Sequence, residues 1–201
     1  MKLYYLQGAC SLASFISLLE AGVKFDHAVV DRVTKKTPDG EDYLKVNPKG
    51  YVPALQLDNG EVLTENPALL AYIGDLNPAA KLIPASGIER YRVQEWLSYI
   101  NSEIHKNFSP LFNRAASDQM KQIALENLDK RLGFIEQGLG GKSYLTGENF
   151  TVADAYLYVV LSWRGRVGVN IDKFPKLIAF FDRAAARPQV RAARKAEGLP
   201  E

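Results

Sequence analysis

The sequence predicts two domains of unequal size: a small α/β domain over residues 1–78, a linker over 79–86, and an all-helical domain over 87–201. Three observations carry this prediction. Strand-like and helix-like stretches alternate up to about residue 78, and only helical periodicity follows. Asn77, Pro78 and the neighbours up to Pro84 break the pattern between the two regions.

In the first region Lys2 to Leu6 and Phe25 to Val30 read as short buried strands. Between them a helix runs from Ser11 to Ala21, with Gly22 supplying a left-handed cap. A charged loop from Asp31 to Gly40 precedes a short helix near Asp42 to Leu44. Ala54–Leu57 and Glu61–Thr64 flank Asp58, Asn59 and Gly60, and the Asn-Gly pair marks a hairpin. Asn66 followed by Pro67 reads as an N-cap and first helical position. The predicted order is βαβαββα.

In the second region Ser86 and Glu89 have the spacing of a capping box. They open one long helix carrying Val93, Trp96, Leu97, Ile100, Ile104, Phe108 and Leu111. An amphipathic helix starts at Asp118 and stops at Gly138, Gly140 and Gly141. Thr151 and Asp154 form a second capping box, and Tyr156 to Trp163 is apolar on most faces, as expected of a helix at the domain centre. Pro175 starts a last main helix that ends before Pro188.

Composition narrows the function classes. With 201 residues, 47% hydrophobic and 24% charged, the chain is globular, which excludes collagenous, disordered and disulfide-scaffold classes. The 25 Lys and Arg against 23 Asp and Glu leave a net charge of +2, which argues against a nucleic-acid surface. The longest apolar stretch, Ala155 to Leu161, is far short of the roughly 20 residues that span a bilayer, and the N-terminus lacks a signal-peptide pattern. A cytoplasmic protein with neither a nucleic-acid nor a membrane partner is expected. The single cysteine, Cys10, permits no internal disulfide, zinc cluster or CxxC pair, so thiol chemistry needs a second thiol from outside.

Cys10 sits where the first strand meets the first helix. Free backbone N–H groups and the helix dipole favour an anion there and predict a lowered thiol pKa; the alternative is a buried, inert cysteine. The run Val46-Asn47-Pro48-Lys49-Gly50-Tyr51-Val52-Pro53-Ala54-Leu55 sets a proline directly before a strand, leaving the N–H and C=O of Val52 free for an extended ligand. Base rates alone favour a trans Val52–Pro53 bond, since about 5–6% of such bonds are cis. Glu65, Asn66 and Pro67 place a carboxylate at a helix N-terminus, able to take an ammonium on the acid and a carboxylate on backbone N–H groups, although an N-cap needs no ligand. His105 falls on a stripe with Ser98 and Ser102, either as an interface histidine or as a site residue.

Taken jointly, these motifs resemble the bacterial beta-class glutathione S-transferases. The resemblance is carried by Gly8-Ala9-Cys10-Ser11-Leu12-Ala13, the Asn47-Pro48-Lys49-Gly50-x-Val52-Pro53-Ala54-Leu55 run, Glu65 before a helix, Ser102-Glu103-Ile104-His105-Lys106, and Phe150-Thr151-Val152-Ala153-Asp154-Ala155-Tyr156. It extends from Met1 to about Leu199. The resemblance implies a thioredoxin-like N-terminal domain that binds glutathione, an all-α helical-bundle C-terminal domain that lines an electrophile pocket, a homodimer, a role in detoxification, and no metal. It further implies that Cys10 and His105 face the glutathione sulfur, that Lys35 reaches the glycine carboxylate, and that Val52, ahead of a cis Pro53, bonds the cysteinyl backbone. Glu65 and Asn66 are implied to hold the γ-glutamyl end, with Glu103 assisting across the dimer. Phe108, Phe112, Tyr156, Trp163 and Arg164 would line the electrophile pocket. Lys35 and Lys36 read on charge alone as a solvated loop, and only the register of the resemblance singles out Lys35.

The sequence departs from the family pattern at three places: Asn66 stands where glycine or serine is common, Ser98 where an asparagine often precedes the histidine, and Phe15 near where a histidine is often found. The cationic Trp163-Arg164-Gly165-Arg166 segment predicts a preference for anionic or polarised electrophiles. The implied reaction is conjugation of the glutathione thiolate, stabilised by the Ser11 helix N-terminus and a donor such as His105. Thiol transfer, peroxide reduction or dehalogenation through a Cys10 mixed disulfide would accompany it. A non-catalytic carrier of apolar ligands and a protein-interaction module are the rival readings.

Overall fold

The computed structural model describes residues 1–200. Its first region forms β1 (Lys2–Tyr5), α1 (Ser11–Ala21), β2 (Asp26–Val29), α2 (Tyr43–Val46), β3 (Ala54–Gln56), β4 (Val62–Thr64) and α3 (Asn66–Leu76). The order is the βαβαββα of a thioredoxin-like domain. β1 pairs parallel with β2 and antiparallel with β3, which pairs antiparallel with β4, giving the sheet order β2-β1-β3-β4. A short parallel βαβ unit needs a crossover helix, and α1 provides it, ending where Gly22 takes φ 66° and donates its N–H to the Leu19 carbonyl. Gly60 at φ 87° closes the predicted hairpin.

A helical array follows: α4 (Gly87–Tyr99), α5 (Lys106–Phe112), α6 (Asp118–Leu139), α7 (Val152–Ser162), α8 (Arg164–Val167), α9 (Pro175–Ala185) and α10 (Pro188–Ala196). The long helix expected after Ser86 is instead α4 and α5 joined by a π-helical turn over Ile100–His105. The wider π turn breaks the 3.6-residue phase on which the Ser98, Ser102 and His105 stripe was built. Both serines are consequently exposed, and Asn101 shares the face of His105. Ser86 precedes α4 without a side-chain cap bond, so the first capping box does not form. The second does: the Asp154 carboxylate accepts from the Thr151 N–H at 2.8 Å, the Thr151 hydroxyl at 2.7 Å and the Leu145 N–H at 2.9 Å. Pro188 opens a further helix, α10, instead of only ending α9.

Helix α7 is the centre of the helical region, buried from Val152 through Leu161, in keeping with its apolar sequence. One face of α1 meets α3, and others meet α7 and α10, so a single core runs from the sheet into the helices. Glu20 of α1 binds Arg187 bidentately, at 2.6 and 2.8 Å, and the same guanidinium lies 4.2 Å from the Phe150 ring centroid. Phe15 is buried among Tyr5, Phe25 and His27 and belongs to this core. Among the described residues no helix is long and apolar enough to cross a membrane.

Candidate functional site

The residues expected to carry chemistry come from separate parts of the chain, and most of them meet in one cavity of about 430 Å³ between the sheet and the π turn. Cys10, Val52, Pro53, Glu65, Asn66, His105 and Tyr156 line it, joined by Lys49, Asn101 and Lys106. A larger cavity of about 630 Å³ lies between α3, α4 and the loop before α7, and none of these site residues lines it. The convergence of polar groups marks the smaller cavity as the candidate site.

Cys10 caps α1, and its thiol donates to the Val52 carbonyl at 3.4 Å. Burial pushes the thiol pKa up to about 12, although the Asn66 amide and the backbone N–H groups of Cys10 and Ser11 pull it down. The expected depression is thus overturned: the helix N-terminus acts as foreseen, but desolvation is larger. In the unliganded protein Cys10 is a neutral hydrogen-bond donor. The Val52–Pro53 bond is cis, as the resemblance implied and against the base rate.

Asn66 occupies the first turn of α3 and not its cap, which is Glu65 at φ 67°. Its buried side chain turns inward, donating to the Cys10 carbonyl at 3.3 Å and meeting the Ser14 hydroxyl at 3.3 Å. The extra bulk relative to glycine or serine therefore ties α3 to the cysteine turn. The Glu65 carboxylate is exposed and pairs with Lys49 at 2.9 Å. Lys35 does not line the cavity; its ammonium donates to the Gly50 carbonyl at 2.9 Å. On this side of the cavity the lining lysine is Lys49, two residues after Asn47.

On the opposite wall Tyr156 of α7 donates to Asn101 Oδ1 at 3.0 Å, and His105 Nδ1 lies 2.7 Å from the same hydroxyl. With the tyrosine proton on Asn101, Nδ1–H is the donor and Nε2 is left as the acceptor. Burial, with help from Lys106, lowers the His105 pKa to about 4, so the ring is neutral at physiological pH. This replaces the expected donor role with an acceptor. The asparagine sought at Ser98 is Asn101, one turn before His105; Ser98 instead donates to the Gln94 carbonyl.

The His105 ring packs edge-on to Trp163 at 4.9 Å, and Trp163 meets Phe108 at 5.6 Å and Phe112 at 5.9 Å, an aromatic cluster adjoining the cavity. Arg164 is turned away, over Phe181 at 3.9 Å, and does not line the cavity. Arg166 lies over Phe112 at 5.5 Å. Glu103 also lies outside the cavity, paired with Arg131 at 2.6 Å. Local sequence could not rank Arg164 against Arg166, since two helical residues apart means opposite sides.

Two family models match the chain: the glutathione S-transferase N-terminal domain over residues 9–76 and the glutathione S-transferase C-terminal domain over residues 99–188. Glutathione S-transferase GstA of Escherichia coli O157:H7 is 44% identical over 200 residues, covering 99% of this chain and 100% of the relative. Among solved structures, a ternary complex of BphK, a bacterial GST, is 50% identical with a TM-score of 0.97, covering 99% of this chain and 100% of that one. A sphingomonad glutathione S-transferase complexed with glutathione is 50% identical with a TM-score of 0.95 over the whole of both chains.

Proposed function

The chain belongs to the glutathione S-transferase family and is an enzyme of that family, and from that premise we propose that it joins the glutathione thiolate to a small electrophile in the cavity between Cys10 and His105. The observation that carries this reading is the meeting of Cys10, the cis Val52–Pro53 bond, Glu65 and His105 on one cavity from distant parts of the chain. In this reading residues 1–78 bind glutathione, 79–86 link, and 87–201 shape the electrophile side.

Each contact follows from its chemistry. Val52 offers the backbone N–H and C=O that pair with the cysteinyl unit, as an added strand would. Glu65 takes the γ-glutamyl ammonium, replacing Lys49, which is then free for a carboxylate. The N–H groups opening α3 beside Asn66 hold the γ-glutamyl carboxylate. Lys35 reaches the glycine carboxylate after leaving the Gly50 carbonyl. The incoming thiol meets the same N–H groups that draw down the Cys10 pKa, and these favour its anion. His105 Nε2 accepts the thiol hydrogen bond before attack, orients the sulfur, and takes the proton as the sulfur bonds to the electrophile, passing it on to the leaving group or to water. Trp163, Phe108 and Phe112 supply an apolar wall for the electrophile, with Arg166 at its edge favouring a polarised or anionic one.

A homodimer is part of the proposal: Tyr51, Ile88, Tyr91 and Phe134 are large apolar side chains left exposed, as an interface would use. Glu103, oriented by Arg131, would then serve the partner's γ-glutamyl group. A role in cytoplasmic detoxification suits a glutathione-consuming enzyme with one unpaired cysteine.

Thiol transfer is a second reading, favoured by Cys10 lying beside the backbone that would hold the cysteinyl unit. Its thiolate would attack the glutathione sulfur of a mixed disulfide between glutathione and another thiol, expelling that thiol and forming a Cys10–glutathione disulfide. A second glutathione thiolate would attack the glutathione sulfur, releasing Cys10 and forming oxidised glutathione. The neutral thiol makes this the slower reaction.

The test is a calorimetric titration of the reduced protein with glutathione up to millimolar concentrations. Saturation near one site per chain is expected, and an absence of saturable heat sinks the proposal. Cys10→Ala should keep conjugation and lose disulfide reduction; retained disulfide reduction removes the second reading.

A further inference from the structure

We propose that Glu197, at the end of α10, is a positioning residue that latches the turn carrying Cys10. The inference rests on the glutathione-site reading above. Between β1 and α1 the chain makes a tight turn through Gln7, Gly8 and Ala9, and Gly8 lies at φ 64°, in the left-handed region. Both backbone polar groups of Gly8 are held by residues far along the chain. Its N–H donates to Glu197 Oε2 at 2.8 Å, and its carbonyl accepts from the Trp163 indole at 2.9 Å. Next to it the Gln7 amide donates to the Gly198 carbonyl at 3.2 Å. A side chain at Gly8 would press within 3.3 Å of Leu199, so the C-terminal segment lies flush against the turn.

The carboxylate is not a surface group that happens to reach a neighbour. Glu197 is 4% exposed, and its Oε1 is buried without a partner. Burying a carboxylate with one oxygen unsatisfied costs free energy, and packing alone would be better served by an apolar side chain. Its one hydrogen bond goes to Gly8. Two residues further on is Cys10, whose thiol is desolvated and aimed at Val52. A turn fixed from both sides at Gly8 holds the sulfur at that depth; a turn released at one side lets it rise toward solvent and spoils the seat of the glutathione thiol. Aromatic and latch contacts converge here, because Trp163 adjoins His105 on one side and holds the Gly8 carbonyl on the other.

The experiment compares the wild-type chain, Glu197→Ala and Glu197→Gln. The rate of Cys10 modification by the neutral disulfide 2,2′-dithiodipyridine is measured alongside glutathione affinity by calorimetry and folding by circular dichroism. Glu197→Ala is expected to react about fivefold to tenfold faster and to bind glutathione about tenfold more weakly, the size of one hydrogen bond. Glu197→Gln keeps a carbonyl oxygen for the Gly8 N–H and should stay within about twofold of wild type. Equal labelling rates in a folded Glu197→Ala chain, or a Gln variant that behaves like Ala, overturn the latch. Should Glu197→Ala fail to fold, hydrogen exchange at the wild-type Gly8 amide decides: strong protection is expected, and exchange at the rate of a free amide overturns it. Wild-type protein that shows no glutathione binding would defeat the functional reading, while the labelling comparison would still judge the latch.

Discussion

Two buried carboxylates, Asp154 at the start of α7 and Glu197 at the end of α10, occupy opposite kinds of surroundings. Asp154 has three donors, two from Thr151 and one from Leu145, which lies nine residues before it. Glu197 has one, from a residue 189 positions away. Burial raises both, Asp154 to about 6 and Glu197 to about 7, so donors alone do not set the charge. The first is a local staple whose partners are assembled by a short stretch of chain. The second is a long-range tie whose remaining oxygen is left unsatisfied, and such a group is spent on position and not on stability.

The sharpest way to break this contrast is Asp154→Ala. It strands three donors in the core and is expected to cost about 3 kcal/mol or more, read from the urea midpoint. A loss no larger than that of a surface change would refute the staple.

The pH dependence comes next. The folded chain keeps the Glu197 proton up to about 7, whereas an unfolded chain releases it near 4.5. Between those values the unfolded state binds fewer protons, so stability is fully present below about 4.5 and declines as pH rises through about 7. Arg194 and Tyr5 are the charged and titratable groups coupled to it, and the arginine limits the decline. Relative to Glu197→Gln, wild type should lose on the order of 1–3 kcal/mol over that window. Identical pH profiles would show that the carboxyl does not titrate there.

Smallest is Thr151→Ala, which removes one donor from Asp154 and leaves two. A loss of about 1 kcal/mol is expected, and a cost equal to that of Asp154→Ala would show that the hydroxyl dominates the box.

The same division explains what the sequence revealed. Signals carried by neighbouring residues were legible: Gly22 stopping α1, Asn59-Gly60 closing the hairpin, and Thr151-Asp154 opening α7. Cys10, Val52, Glu65 and His105 share one cavity, and what singled them out in the sequence was the spacing of their motifs, which resembles a known family. What escaped depends on distant partners or on helical phase. The Cys10 pKa follows from burial, which no local window reports. The π turn moved the face of His105 from Ser98 to Asn101. Asn66 looked like a cap and proved to be a strut between α3 and the cysteine turn, and Ser86 capped nothing. Glu197 carried no motif at all; its partner is at the other end of the chain.

The Glu20–Arg187 clamp has a consequence for synthesis. Helix α1 is made early, yet its bidentate partner lies 167 residues further on, and the faces that meet α7 and α10 stay bare until those helices leave the ribosome. The packing of helix α1, and of the cysteine that caps it, therefore waits for residues far along the chain and is completed only once α7 and α10 have been made.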